Sequence, residues 1–493
     1  MTNNAASDAL YLAIDQGGSS TRAIVFDGQA KIVAKAQQTV PVLYPHPQWV
    51  EQCPDTLVDS IVQVINSVAT QLGPRCMQLH TAGLATQRSN IVCWDKVTGK
   101  ALSPAISWQD RRAHQWIKQF DTKNDLVHNT TGLLISAHYG VSKLYWCLNH
   151  IDGVAQAHKE GRLAWGPLAS YITYQLVGGQ HYADPVNASR TLLWNINTGD
   201  WDQPLLDLFG IPHGPLPQCV ATQFKYGNIK IANTSNPSLP LSMVTGDQSA
   251  ALFAYGSPDK HTAYINMGTG AFIQCSTGAN PVDAPNLLSS IVYKDDKRSE
   301  YVLECTVNGA SNALMLMEKE LGIPYDEAEQ RFATWLGRYQ DPPLYLNGVA
   351  GLGAPFWVPD FESQFVQERD GGHEPGEKMV AVAESILFLL QLNLQLLNKQ
   401  YVNLKRIVVT GGLSQSDGLC QKLANLTQLY VYRPGECEAT AQGLAYLLAG
   451  FPGDWPGPVA GHDFRPVVDE PMDRRYKQWE LEMNKQLRHY TRG

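Results

Sequence analysis

The same short pattern occurs twice in this 493-residue chain, as IDQGGSSTRAIVF at 14–26 and INMGTGAFIQC at 265–275. In each copy an apolar run (Leu10 to Ile14; Thr262 to Met267) enters a turn of Gly, Ser and Thr. A second apolar run (Thr21 to Phe26; Ala271 to Cys275) leaves it. Strand, small-residue turn, strand is the reading. A duplicated supersecondary unit implies two related domains, one from residue 8 to 255 and one from 260 to 450. Tyr255-Gly256-Ser257-Pro258-Asp259 sits between them and 451–493 forms a tail.

Elsewhere strands alternate with helical stretches. Residues 55–72, 377–400 and 418–428 are helix-like, 406–410 is a strand, and 79–94 is β-like with an internal turn. The Pro- and Gly-dotted stretch 210–240 reads as a surface excursion, and the charged segment from Asp469 as a peripheral helix. The architecture expected is α/β, twice over. The most apolar stretch, Met379 to Leu397, contains Glu384, Gln391, Asn393 and Gln395. That polarity suits a buried helix rather than a membrane span.

Composition narrows the function classes. The net charge of −8 (38 basic against 46 acidic residues) argues against a nucleic-acid surface, which needs clustered Lys and Arg. Nine cysteines run from Cys53 to Cys437 without a CxxC pair, and none of the thirteen histidines forms HExxH. Neither a disulfide framework nor a zinc site is indicated, so buried free thiols are expected. The N-terminus lacks the basic start and apolar run of a signal peptide. A cytoplasmic protein with no nucleic-acid and no membrane partner is expected; composition leaves a homo-oligomer open.

Three features carry chemistry. The small residues of the two turns let backbone N–H groups approach an anion, and Ser19, Ser20, Thr21 and Thr269 add hydroxyls. Asp15, beside the first turn, is either an Asx-turn former or a carboxylate placed for Mg²⁺. In LSMVTGDQ (241–248) a strand runs into a helix, with Asp247 at or near the N-cap. Capping is one reading. The other is a general base kept ionised by the helix N-terminus. Finally, RIVVTGG (406–412) ends a strand in the pair Gly411-Gly412, an arrangement that suits a nucleotide at a sheet's carboxyl edge. No GxxxxGK[ST] is present, so this is not a P-loop protein.

Taken in order, IDQGGSSTRAIVFD, TQRSNIVCW (86–94), ISWQDRR (106–112), NASRTLLWNI (187–196), TGDQSAALF (245–253), NMGTGAF (266–272), GLGAPFW (351–357), VVTGGLSQS (408–416) and EATAQGLAYL (438–447) resemble the FGGY carbohydrate kinases, and among these most of all the glycerol kinases. The resemblance is collinear from residue 10 to residue 450. It implies two actin-like ATPase (ribonuclease H-like) domains with a central cleft that holds ATP, Mg²⁺ and a small polyol or sugar. By that resemblance Asp15 serves the metal. Gly17, Ser19, Ser20, Gly268 and Thr269 surround the phosphates, and Gly411, Gly412 and Ser416 lie on the nucleotide side. Arg88, Ser89, Trp108, His138 and Gln248 surround the substrate, with Asp247 as general base.

Three departures stand out. Glycerol kinases follow the Arg of this motif with Glu, where this chain has Ser89; they place Tyr where it has His138; and their first loop reads GTTS, where Gly18 lacks a hydroxyl. Losing the carboxylate acceptor and gaining space at residue 89 point away from glycerol itself. The alternatives are a kinase for a tetritol or ketopentose, or an actin-like ATPase or sugar-binding protein without kinase turnover.

Overall fold

The computed structural model describes residues 9–490 apart from 233, 235, 367–371, 436, 437, 454 and 456–460. Residue 8, Cys437 and part of the Gly- and Pro-rich stretch after 450 therefore lie outside the described residues.

The first hairpin is formed by β1 (Leu10–Gln16) and β2 (Ser20–Asp27), followed by β3 (Ile32–Thr39), α1 (Pro54–Leu72) and β4 (Leu79–Thr86). Next come β5 (Ile91–Asp95), β6 (Leu163–Pro167), β7 (Gln223–Lys230), β8 (Ser238–Gly246) and α2 (Asp247–Leu252). The main sheet has the order β7-β8-β4-β1-β2-β3, with β1, β4 and β8 parallel. Strand β1 is buried apart from Tyr11, β4 apart from His80, and β8 from Met243 to Gly246, where it approaches the site.

The second hairpin is β9 (Thr262–Met267) and β10 (Ala271–Gly278), then β11 (Leu288–Lys294), β12 (Ser299–Val307) and α3 (Ser311–Leu321). The chain continues through α4 (Pro375–Gln400), β13 (Arg406–Thr410), α5 (Asp417–Thr427), β14 (Tyr430–Arg433), α6 (Ala439–Leu448), β15 (His462–Phe464) and α7 (Glu470–Leu487). The order is β11-β12-β10-β9-β13-β14-β15, with β9, β13 and β14 parallel. In both sheets a hairpin continues on one side into two further parallel strands. They differ at the outer edge, where β12 takes the place of β3 and β11 lies beyond it.

The turn expected within 79–94 separates β4 from β5, and the two strands belong to different sheets: β5 pairs antiparallel with β6 in a separate four-stranded sheet. The intervening segment turns away at Ser89, whose backbone is left-handed (φ 64°). The 210–240 stretch is not wholly a surface excursion, because β7 is an edge of the main sheet with Tyr226 and Ile229 buried. Its alternation is masked by Gly227, whose φ is 139° and where a Cβ would fall 2.8 Å from Val177. The apolar helix is α4, buried over most of its length. Glu384 within it pairs with Arg475 of α7 at 2.7 Å and Lys422 of α5 at 3.1 Å, which explains a carboxylate in an apolar helix. Helix α7 buries Met472, Tyr476, Trp479 and Met483 against the same core. Among the described cysteines all are free, and Cys76, Cys93, Cys147, Cys275, Cys305 and Cys420 are buried.

The two halves share a core. Ala13, Phe26 and Met243 of the first sheet, Phe253 after α2, Tyr293 of the second sheet and Leu444 and Leu447 of α6 belong to one cluster. Its tightest point is Gly443, where a Cβ would fall 1.9 Å from the Ala250 carbonyl oxygen. Helices α2 and α6 therefore meet backbone to backbone. Gly443→Ala is expected to destabilise the protein by about 1–3 kcal/mol through overpacking, read as a lowered denaturation midpoint; an unchanged midpoint would show that the helices can separate freely.

Candidate active site

Parallel pairing brings the functional segments to one edge. Asp15 lies level with Ala85 and Ala85 with Thr245; Gln16 lies level with Thr86 and Thr86 with Gly246. The residues that follow β4 (Gln87, Arg88) and β8 (Asp247, Gln248) therefore emerge beside the first turn. In the second sheet Asn266 is level with Thr410, and its Nδ2 donates to Thr410 Oγ1 at 3.1 Å. A cleft of about 760 Å³ lies between, lined by Asp15, Asp247 and Gln248 from one side and by Asn266, Phe272, Thr410, Gly411 and Gly412 from the other.

The first turn is braced from behind by amides. Gln87 Nε2 donates to Gly17 O at 3.2 Å and Gln52 Oε1 at 2.9 Å, and Gln52 Nε2 donates to Gly18 O at 3.0 Å. Thr21 Oγ1 and Ser60 Oγ of α1 are 2.7 Å apart, so this hydroxyl serves packing. Gly17 N–H closes the turn onto Ser20 O and Gly268 N–H onto Gly270 O, each at 2.9 Å. In the second turn Gly268 O and Thr269 O accept from the start of α3. The carbonyls thus face protein, and among the described residues the N–H groups of Gly18, Ser19, Thr269 and Gly270 take no part in the backbone hydrogen bonds of the turns. Ser19 and Thr269 are exposed at the turn tips, while Ser20 is buried.

Two carboxylates sit on the first side. Asp15 is buried and 3.6 Å from Arg22 Nη1. Burial, reinforced by the charge of Asp247, pushes its carboxyl up to about 7 despite Arg22. Asp247 is the first residue of α2, after the cap position Gly246. Burial raises its carboxyl too, with Arg88 opposing. The helix N-terminus was expected to favour the ionised form; the surrounding protein outweighs one short helix.

A second group adjoins Asp247. Arg88 passes over Gly246, where a Cβ would fall 2.6 Å from Arg88 Cγ and Cδ. Its Nη2 donates to Gln248 Oε1 and its Nη1 lies 3.4 Å from Glu304. Ser89 is buried with its Oγ unpartnered. Trp108 is held by its N–H to Asn90 Oδ1 at 2.7 Å, and its ring lies 5.5 Å from that of His138. Burial, and then the charges of Lys143, Arg111, Arg190 and Arg88, hold the His138 imidazole well below its usual range, so it is neutral. Lys143 Nζ donates to the carbonyls of Ala137, His138 and Tyr139, fixing that segment.

The arrangement brings Asp15, Asp247, Gln248, Gly411 and Gly412 to the cleft and groups Arg88, Trp108 and His138 beside it. Ser416 is different: its hydroxyl caps α5 by accepting from Leu419 N at 3.4 Å, and Ser414 and Gln415 line the cleft instead. Sequence reasoning missed Glu304, Arg190, Lys143 and Glu438. Only a lone carboxylate in the apolar run YVLECTV marked Glu304, and Arg190 lay unassigned within NASRTLLWNI. Glu438, at the start of α6, pairs with Arg22 at 3.4 Å and with Lys35.

The N-terminal domain model of the FGGY family of carbohydrate kinases matches residues 10–254, and the C-terminal domain model matches residues 263–450. The chain belongs to this family. It is a carbohydrate kinase, a phosphotransferase with an alcohol group as acceptor. Similar proteins include the glycerol kinase of Allorhizobium ampelinum, 35% identical over 93% of this chain and 95% of that one. The glycerol kinase of Halothermothrix orenii is 34% identical over 88% of each. In fold the chain resembles Plasmodium falciparum glycerol kinase with ADP (TM-score 0.85, 23% identity, 98% of each chain covered). It equally resembles xylulose kinase from Rhodospirillum rubrum (TM-score 0.85, 18% identity, 98% of this chain and 100% of that one). The two-domain actin-like fold is thus shared by kinases of different acceptors.

Gly411 has φ 91°, and a Cβ there would fall 2.5 Å from Met267 O. Gly411→Ala is expected to displace the turn and weaken ADP binding at least about tenfold by calorimetry; undiminished affinity would detach Gly411 from the nucleotide side.

Proposed function

We propose that this kinase transfers the γ-phosphoryl group of ATP to a hydroxyl, a primary one, of a small polyol or sugar, with Asp247 as general base. The observation that carries the reading is the position of Asp247 between the cleft and the Arg88 group. Asp247 accepts the hydroxyl proton as the acceptor oxygen attacks the γ-phosphorus in line; the bond to the bridging oxygen breaks and ADP leaves. A raised carboxyl pKa suits a base that works near neutral pH. Arg88, Gln248 and the neutral His138 orient the acceptor hydroxyls, and Trp108 forms an apolar wall. The free N–H groups of the two turns, with Ser19, Ser20 and Thr269, face the phosphates; Gly411 and Gly412 lie flat beside the nucleoside. In this reading residues 8–255 carry the acceptor and residues 260–450 carry the nucleotide; of the tail 451–493, helix α7 packs on the body, and 454, 456–460 and 491–493 lie outside the described residues.

The residues fit Mg²⁺. Asp15 is a buried carboxylate whose ionised form is disfavoured, and a second carboxylate is near it. Mg²⁺ takes one or two carboxylates with substrate phosphates and water rather than a protein cage. When bound, it offsets charge on the phosphate oxygens.

Acceptor length is a second question, and Ser89 bears on it. Its buried, unpartnered hydroxyl and short side chain favour an acceptor longer than glycerol, such as a tetritol or ketopentose. The relatives named glycerol kinase support the polyol class.

Asp247→Asn is expected to retain ATP binding while losing at least about a hundredfold in turnover; near wild-type turnover would remove Asp247 from the role. In a coupled ADP-release assay with glycerol, erythritol, dihydroxyacetone, ribulose and xylulose, an acceptor longer than glycerol is expected to show the highest kcat/KM. Clear preference for glycerol would refute the reading of Ser89.

A further inference from the structure

We infer that Glu304, carried by the second half, is the positioning residue that aims the Arg88 guanidinium at the acceptor, so the acceptor site is complete only while the second half is seated on the first. The inference rests on the reading of Arg88 as an acceptor ligand.

Arg88 leaves the end of β4 in the first half, and its side chain is nearly buried. A flexible side chain needs fixed partners to hold one direction, and two are present. Gln248 accepts from one terminal nitrogen, and Glu304 Oε1 lies 3.4 Å from the other. Gln248 follows the base, whereas Glu304 projects from β12, 216 residues along the chain from Arg88. Removing Cβ at residue 246 makes the route between them.

Glu304 is itself held from both halves. Arg190 of the first half donates to its oxygens at 2.7 and 2.6 Å, and Gln274 of the second donates to Oε1 at 2.9 Å. Arg190 also donates to Ser290 Oγ at 2.8 Å, tying the same guanidinium to β11. Burial works against ionisation here, but Arg190 first and then Arg88 hold the carboxyl down at about 2. It is therefore a fixed negative charge throughout the working range. Two guanidiniums on one carboxylate form a rigid, charge-assisted joint. Moving β12 relative to β4 must move or release Arg88. Seating of the second half thereby reaches the acceptor as well as the nucleotide, with no contact between Glu304 and the reacting atoms.

The test is a double-mutant cycle in the full chain, with glycerol and erythritol each as acceptor, in which KM for acceptor and KM for ATP are measured separately. Arg88→Lys is expected to raise the acceptor KM. Glu304→Gln is expected to raise it at least about tenfold while ATP KM changes by less than about twofold, and to add nothing in the Arg88→Lys background. Glu304→Asp, which keeps the charge and retracts it by one methylene, is expected to fall between; it carries the test if Glu304→Gln does not fold. An unchanged acceptor KM in the Glu304 variants, with Arg88→Lys impaired, overturns the inference alone. So does a full additional effect of Glu304→Gln on top of Arg88→Lys. An Arg88→Lys enzyme with unchanged acceptor KM overturns the underlying reading of Arg88 and the inference with it.

Discussion

The backbone contact between α2 and α6 at Ala250 and Gly443 is the constraint on which the rest depends. Helix α2 begins with Asp247, and α6 follows Glu438, whose partners are Arg22 of β2 and Lys35 of β3. One close approach thus sets the distance from the base to the far wall of the cleft. Any side chain beyond hydrogen at residue 443 pushes these two ends apart. The apolar cluster around the contact draws on both sheets, so the halves are joined at the floor and meet across a cleft above it.

Charge on that floor is arranged in opposition. Asp15 and Asp247 sit where burial disfavours ionisation, and each is answered by a guanidinium from the same half, Arg22 and Arg88 respectively. Those guanidiniums are answered in turn by carboxylates from the second half, Glu438 and Glu304. Two chains of alternating charge result: Asp15–Arg22–Glu438 lines the cleft, and Asp247–Arg88–Glu304 leads from the cleft into the group beside it. In the nearly buried Arg88–Glu304 pair, removing one member leaves the other charge without its partner in a water-poor site, which costs far more than losing a surface ion pair. His138 is kept neutral by burial first, and then by the charges of Lys143, Arg111, Arg190 and Arg88.

Much of this was legible in the sequence because it is local. The two hairpins, the Gly pair after β13 and the strand-to-helix junction at Asp247 are short patterns whose geometry follows from residue type. The duplicated turn correctly announced two similarly wound sheets. What could not be read is whatever depends on partners far along the chain. Glu304 and Arg190 meet across 114 residues, and a lone carboxylate in an apolar strand gives no address for its partner. Asp247 shows the limit from the other side. The local rule, a helix N-terminus, favours ionisation, whereas tertiary burial reverses the direction. The hydroxyl of Ser416 caps α5, a role that residue type alone already offers to a Ser preceding a helix. Gly227 hid the edge strand β7 because a glycine required by contact with Val177 breaks the alternation that identifies strands.

The central claim is transfer of a phosphoryl group to an acceptor hydroxyl rather than to water. Phosphorus NMR of the protein with ATP, Mg²⁺ and erythritol or glycerol tests it most directly. The account predicts that a phosphomonoester resonance grows as the γ-phosphate resonance declines, with inorganic phosphate remaining a minor product. Loss of the γ-phosphate resonance with inorganic phosphate as the sole new phosphorus species, whichever polyol or sugar is supplied, would contradict it.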